Sequence, residues 1–237
     1  MARIIQQASL PKEVPTLEGW QLSRYYQPAR EVGGDFYDFQ PLSEGKLGLV
    51  VGDATGKGVP AALVMSMTCG MLRAISQTSG YSPGKILQQV NEALCANIAA
   101  NMFVTCFYTI LDPGNGRLTY ANAGHDLPHL HCKGDAEELR ASGMPLGLIP
   151  QMNYEEGEVT LGEGNCLLFY SDGLVEAHNP NGGMFGFPRL RKLVAEYGEE
   201  RSLVDFLMEE LYFFVGKEWE QEDDITLLTL ERCAARS

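Results

Sequence analysis

The chain has 237 residues, 45% of them hydrophobic and 21% charged, with a formal net charge of −13. That size and balance suit one large folded domain, and the acidity argues against a nucleic-acid surface, which needs an excess of Lys and Arg. Acidity does not argue against work on phosphate, because bound cations can reverse the local sign of a site.

No apolar run approaches the length of about 18 residues that a membrane span needs, and no span is expected. Residues 1–7 carry no apolar block of the signal-peptide kind. Six cysteines (Cys69, Cys95, Cys106, Cys132, Cys166 and Cys233) form no CxxC pair. Most sit in apolar stretches, the pattern of reduced thiols in a cytoplasmic protein.

Residues 1–15 read as a helical or irregular lead-in closed by Pro11 and Pro15. Its abrupt start in IIQQASL suits either the tail of a linker from an upstream sensor or receiver segment or a frayed free end. Residues 16–233 are expected to form one domain. Strands are predicted over 20–27, 36–42 and 47–51, then a helix over 59–76 with Val59, Leu63, Met67 and Met71 on one face. The first two turns of that helix are apolar almost all round, which implies burial on more than one side. Ser82 as N-cap and Pro83 at the first helical position open the next helix, striped by Leu87, Val90, Leu94 and Ile98.

From Phe103 the period becomes that of strands. Segments 103–111 and 117–123 flank a Pro-Gly-Asn-Gly turn and predict a hairpin. Further strands are expected over 127–132, 157–161 and 166–170; the last is apolar on both faces, which marks a central strand. Helices follow over 188–197 and 203–216, the second opened by a capping box of Ser202 with Asp205, and a strand over 225–231 closes the chain. The order is not a regular βαβ alternation. The class is α+β, mainly antiparallel sheet with paired helices on its faces.

Aspartates punctuate this pattern at Asp35, Asp53, Asp172 and the pair Asp223-Asp224. Each alone has an ordinary reading as a turn former, a helix cap or part of a solvated acidic run. Converging, they would repel one another unless cations lay between them, and hard ions such as Mg2+ or Mn2+ suit an oxygen-only cage. Asp53-Ala54-Thr55-Gly56-Lys57-Gly58 is not a nucleotide P-loop: only three residues separate Gly52 from Gly56, and Gly58 stands where a hydroxyl is needed. His129 and His131 share a strand face but have no third ligand nearby in sequence, so zinc is disfavoured.

Six blocks carry a family resemblance: PAREVGGDFYD from Pro28, GDATGKGVPAA from Gly52, ANAGH from Ala121, GMPLG from Gly143, YSDGLVEA from Tyr170 and DDITLL from Asp223. In that order they resemble the PPM (type 2C-like) metal-dependent protein Ser/Thr phosphatases, SpoIIE/RsbU-type branch, across residues 17–231. The resemblance implies an αββα sandwich and two Mn2+ or Mg2+ ions at one end of it. By motif position Asp53 would bridge the ions, the Ala54 carbonyl and Asp35 would serve the second, and Asp172 and Asp223 the first. Asp224 would support Asp223, and Arg30 matches the family's phosphate-gripping arginine. His125 is expected to anchor a loop or move protons, and Lys57 to greet phosphate or stay solvated. Asp126-Leu127-Pro128 departs from the Asn-Pro-Pro common in the branch.

The function so implied is hydrolysis of phosphoserine or phosphothreonine on a cytoplasmic signalling protein, a STAS-type anti-anti-sigma factor by analogy. Dimerisation through the lead-in helix and the helix over 59–76 is implied as well. The alternative is a catalytically silent domain of the same fold that binds phosphoproteins.

Overall fold

In the computed structural model, which describes residues 2–198 and 201–233, the described residues form ten strands and six α-helices. In chain order these are α1 (Ala2–Ser9), β1 (Trp20–Gln27), β2 (Asp35–Pro41), β3 (Leu47–Ala54), α2 (Val59–Ser79), α3 (Pro83–Asn97), β4 (Val104–Asp112) and β5 (Arg117–Ala123). There follow β6 (His129–Cys132), β7 (Asp135–Glu138), β8 (Glu156–Thr160), β9 (Cys166–Tyr170), α4 (Asp172–Val175), α5 (Phe187–Ala195), α6 (Leu203–Val215) and β10 (Ile225–Arg232).

Strand β9 shows why the layers stack as they do. All five of its residues are buried, and successive side chains point to opposite faces. Leu167 and Phe169 enter the core between two sheets, while Cys166, Leu168 and Tyr170 face the cluster built with α4, α5 and α6. Strand β10 repeats this alternation, with Leu228 and Leu230 inward and Ile225 and Leu227 on the helix side. Each fully buried Leu or Phe contributes about 1.5–3 kcal/mol.

The two sheets have orders β1-β10-β9-β6-β7 and β2-β3-β4-β5-β8, with antiparallel pairing throughout. They meet face to face, Phe107 of β4 packing edge-on against Phe169 of β9 with ring centroids 6.1 Å apart. Helices α2 and α3 cover the second sheet, and α5 and α6 cover the first. This is the αββα sandwich, an α+β architecture of two antiparallel sheets.

Several elements differ from expectation. Strand β3 continues through Asp53 to Ala54 because β2 pairs with it as far as Asp53 and β4 as far as Ala54. Asp172 opens the one-turn helix α4 instead of a simple Asp-Gly turn. Ser82 takes the N-cap backbone conformation but makes no side-chain cap bond; the amide of Gly84 is instead held by Glu156 Oε1 at 2.9 Å. The short strand β7 pairs at the sheet edge with β6. Helix α2 reaches Ser79, three residues further than predicted. By length and composition α2 could cross a membrane, yet Met65, Cys69 and Leu72 are buried in the core beneath it. The lead-in is helical over α1 and docked: the Gln6 side chain donates to Gly33 O at 2.6 Å and accepts from Gly33 N.

Candidate functional site

The site grows from one cross-strand pair. In the β2–β3 register Asp35 stands opposite Asp53, so both side chains leave the same face of the sheet. Asp35 is fully buried, and its Oδ2 accepts a 2.6 Å hydrogen bond from Thr226 Oγ1 of β10 in the other sheet. Burial first, then the neighbouring Asp53 and Asp224 carboxylates, holds Asp35 well above the usual carboxylate range.

Asp224 anchors the segment before β2. Its Oδ1 accepts from Ala29 N at 2.8 Å, and its Oδ2 accepts from Gly34 N at 2.7 Å and Asp35 N at 3.3 Å. That approach needs glycine: a Cβ at Gly33 would sit 1.9 Å from Asp224 Oδ2. A Cβ at Gly34 would lie 2.5 Å from both Asp53 Oδ1 and the Ala54 carbonyl oxygen. The missing side chain leaves two oxygen donors sharing one cradle.

In front of these residues opens a cleft of about 380 Å³ whose lining includes Asp53, Asp172, Asp223, Asp126, Glu176 and Lys57. Burial pushes Asp53 up to about 8, helped by Asp172, Asp224 and Asp223. Burial and then Asp223 and Glu176 push Asp172 up to about 6. Asp126 rises to about 7 through burial and the charges of Asp172 and Glu176. Carboxylates this crowded are poor places for free negative charge and good places for cations.

Lys57 Nζ supplies one such cation, donating to Asp223 Oδ2 at 2.6 Å and to the Glu222 carbonyl at 3.0 Å. Its own pKa is raised, chiefly by that bond to Asp223. With Asp223 so paired and Asp35 turned to Thr226, no three His, Cys, Asp or Glu side chains among the described residues form a ready-closed metal cage. The donor set still fits hard divalent ions: all oxygen, highly charged and partly exposed along one wall. Residues that could hold them are Asp53, Asp172 and Asp223 in the cleft lining and the Ala54 carbonyl beside Asp53, with Asp35 and Asp224 buried next to each other further in.

His125 also lines the cleft, with both ring nitrogens engaged. Nε2 lies 3.1 Å from the Tyr170 carbonyl, to which it donates, and Nδ1 lies 2.9 Å from Thr105 Oγ1. Burial lowers its pKa to about 4. Asn122 brackets its backbone, donating to His125 O and accepting from His125 N. Arg30 stands outside this cleft, in a small adjoining depression that also contains Lys57, Asp223 and Asp224. His131 Nδ1 lies 2.8 Å from the Val194 carbonyl, to which it donates.

Asp126 and Glu176 were not expected in the site. Asp126 carried a signal, as the departure following His125, and Glu176 sits inside the YSDGLVEA block. Thr226 in β10 and Ser171 between β9 and α4 gave no signal by type, though Ser171 Oγ donates to Asp224 O at 3.3 Å and accepts from Thr226 N at 2.9 Å.

The two-sheet sandwich and the acidic cleft at its rim define a type 2C-like phosphatase domain. The profile of the Stage II sporulation protein E (SpoIIE) family matches residues 43–233, and the chain belongs to that family. It is 30% identical to the phosphoserine phosphatase RsbU of Bacillus subtilis, over 98% of this chain and 69% of that protein. It is 31% identical to protein IcfG of Synechocystis, over 97% of this chain but only 40% of IcfG. The SiaA-PP2C domain of Pseudomonas aeruginosa superposes with a TM-score of 0.84 at 26% identity, covering 97% of this chain and 94% of that one.

Proposed function

We propose that the chain is a divalent-metal-dependent protein serine/threonine phosphatase using two Mn2+ or Mg2+ ions. The observation that carries this is the crowding of Asp53, Asp172 and Asp223 in one cleft, with Asp35 and Asp224 packed behind. PP2C-family phosphatases are metal-dependent, and one that shares this fold, RsbX, has been solved with magnesium. Phosphate monoesters are among the slowest substrates to hydrolyse uncatalysed. When bound, paired divalent ions acidify a water and offset phosphoryl charge.

This chain's own residues have separate tasks. Asp53, at the end of β3, would hold the ions together with the Ala54 carbonyl, Asp35, Asp172 and Asp223. Asp224 fixes the 29–35 backbone on which Asp35 depends. His125, neutral and bonded at both nitrogens, holds the cleft wall. Arg30 would meet the substrate phosphoryl group from the adjoining depression. None of these residues has to form a covalent phosphoenzyme.

The substrate we favour is a phosphorylated signalling protein of the STAS anti-anti-sigma type, supported by the RsbU likeness. A homodimer through α1 and α2 is supported by apolar side chains left exposed on these neighbouring helices: Ile4 at 68%, Val59 at 51% and Leu63 at 64%. A cytoplasmic setting is supported by six cysteines without disulfides. Control by an upstream sensor or receiver segment is supported by relatives longer than this chain. The test is hydrolysis of p-nitrophenyl phosphate with and without Mn2+. Activity that needs the ion and is lost in Asp53→Asn and Asp172→Asn is expected; activity indifferent to both, or absent with every divalent ion, would refute the assignment.

A further inference from the structure

A cleft of about 600 Å³ lies between α1, β1 and the 28–31 segment, and its walls include Arg3, Lys12, Arg24 and Arg30 against one carboxylate, Glu31. This is a local reversal of sign in a chain of net charge −13. Among the described residues none of the four cations has a carboxylate within ion-pair distance, whereas Lys46, Lys57, Arg73, Arg117, Arg140 and Arg201 each have one. The Arg24 guanidinium rests over the Tyr37 ring, 5.5 Å from its centroid, and both line the cleft.

The cleft is continuous with the catalytic centre through shared residues. Arg30 belongs to its wall and to the small depression beside it; Lys57 and Asp223 belong to that depression and to the acidic cleft. A cationic track therefore runs from Arg30, beside the Lys57–Asp223 pair, to Arg24, Lys12 and Arg3. Unpaired like charges held together repel, and an anionic chain laid along them relieves that repulsion while steering encounter.

We infer that this track seats an acidic segment of the phosphoprotein substrate, flanking the phosphorylated residue that enters the acidic cleft. The inference rests on the phosphatase reading and adds the chemistry of the substrate to it. Recognition is then divided: ions and Asp side chains meet the phosphoryl group, and the Arg and Lys track reads negative charge beside it.

The experiment compares phosphoserine peptides bearing a run of glutamates before or after the phosphoserine with a neutral peptide. The variants are Arg24→Glu and the double variant Arg3→Glu/Lys12→Glu. The double variant guards against a folding defect, because Arg24 packs on Tyr37 and the other two are exposed. With Mn2+, wild type should favour one acidic peptide over the neutral one through KM. That ratio of kcat/KM should fall by about tenfold in each variant, equivalent to ~1.4 kcal/mol. The preference should also vanish near 1 M salt, where the Debye length is about 3 Å. Fluorescence anisotropy of the same labelled peptides without metal gives a second arm that needs no turnover. If no peptide is hydrolysed yet the acidic one binds and the variants release it, the phosphatase reading fails and the track stands. Equal handling of acidic and neutral peptides in both arms, or a preference that survives both reversals, would overturn the inference.

Discussion

Asp35 and Asp53 stand directly opposite each other across the β2–β3 ladder, two acid side chains on one face of one sheet. Like charges directly opposed in an antiparallel pair are destabilising, so the fold carries this pairing as a cost that a bound cation would remove. Asp53→Asn should therefore raise the melting temperature of the metal-free protein while shrinking the further rise produced by Mn2+. Phosphatase activity should fall by about 10²-fold or more, the scale of losing one preorganised charge-stabilising group. Differential scanning fluorimetry with and without Mn2+, beside a rate assay, checks both halves.

The pH dependence of the metal-free protein follows from the same crowding. Asp172, Asp126 and Asp53 are raised to about 6, 7 and 8 in the fold, against an ordinary aspartate value near 3.9 in the unfolded chain. Between those limits the folded state holds more protons than the unfolded state, so stability falls as pH rises. The melting temperature without metal should decline from pH 5 to pH 8, and the gain from Mn2+ should be larger at pH 8 than at pH 6. A metal-free melting temperature that climbs across this range would count against the clustering.

Asp38 faces away from the cleft and ties three elements together. It accepts from Arg73 Nε at 2.7 Å and Nη2 at 2.8 Å, and Arg73 Nη2 also reaches Ser9 O. Asp38→Ala should cost about 3 kcal/mol, the lower end for breaking a buried pair, since the Arg73 side chain is 34% exposed. Urea unfolding at pH 7 measures this, and Mn2+ affinity should change far less than stability.

His125 is a structural bracket with a depressed pKa of about 4. Its unfolded form takes up a proton near pH 6.5 and its folded form does not, so this contribution to stability is present above about pH 6.5 and is lost as pH falls toward 4. His125→Ala should lower stability by about 1–3 kcal/mol by leaving Thr105 and the Tyr170 carbonyl without their partner. The pH–rate profile of a folded His125→Gln variant should keep its acid limb where wild type has it. A limb that moves would make His125 a proton carrier.

What could be read from the chain depended on how local the signal was. The five apolar residues of β9 announced a strand buried on both faces, and they form one. The Ser202–Asp205 box was readable because its partners are three residues apart, and Ser202 Oγ accepts from Asp205 N at 3.1 Å. Strand β7, Asp-Ala-Glu-Glu, was not readable: it is four residues long with only Ala136 buried, and its pairing with β6 creates it. The aspartates were readable as a set through the order of their motifs. The division of labour within the set was not, because Asp224 finds its amide partner Gly34 190 residues away. Asp126 entered the cleft only when the fold carried it beside Asp172 and Glu176.

Anomalous diffraction from crystals grown with Mn2+ would test the placement of the ions most directly. Two manganese peaks among Asp53, Asp172, Asp223 and the Ala54 carbonyl, with Asp35 behind them and Lys57 displaced from Asp223, are predicted. A single peak elsewhere, or none at saturating Mn2+ with the Lys57–Asp223 pair intact, would contradict the proposal that these carboxylates share a pair of ions.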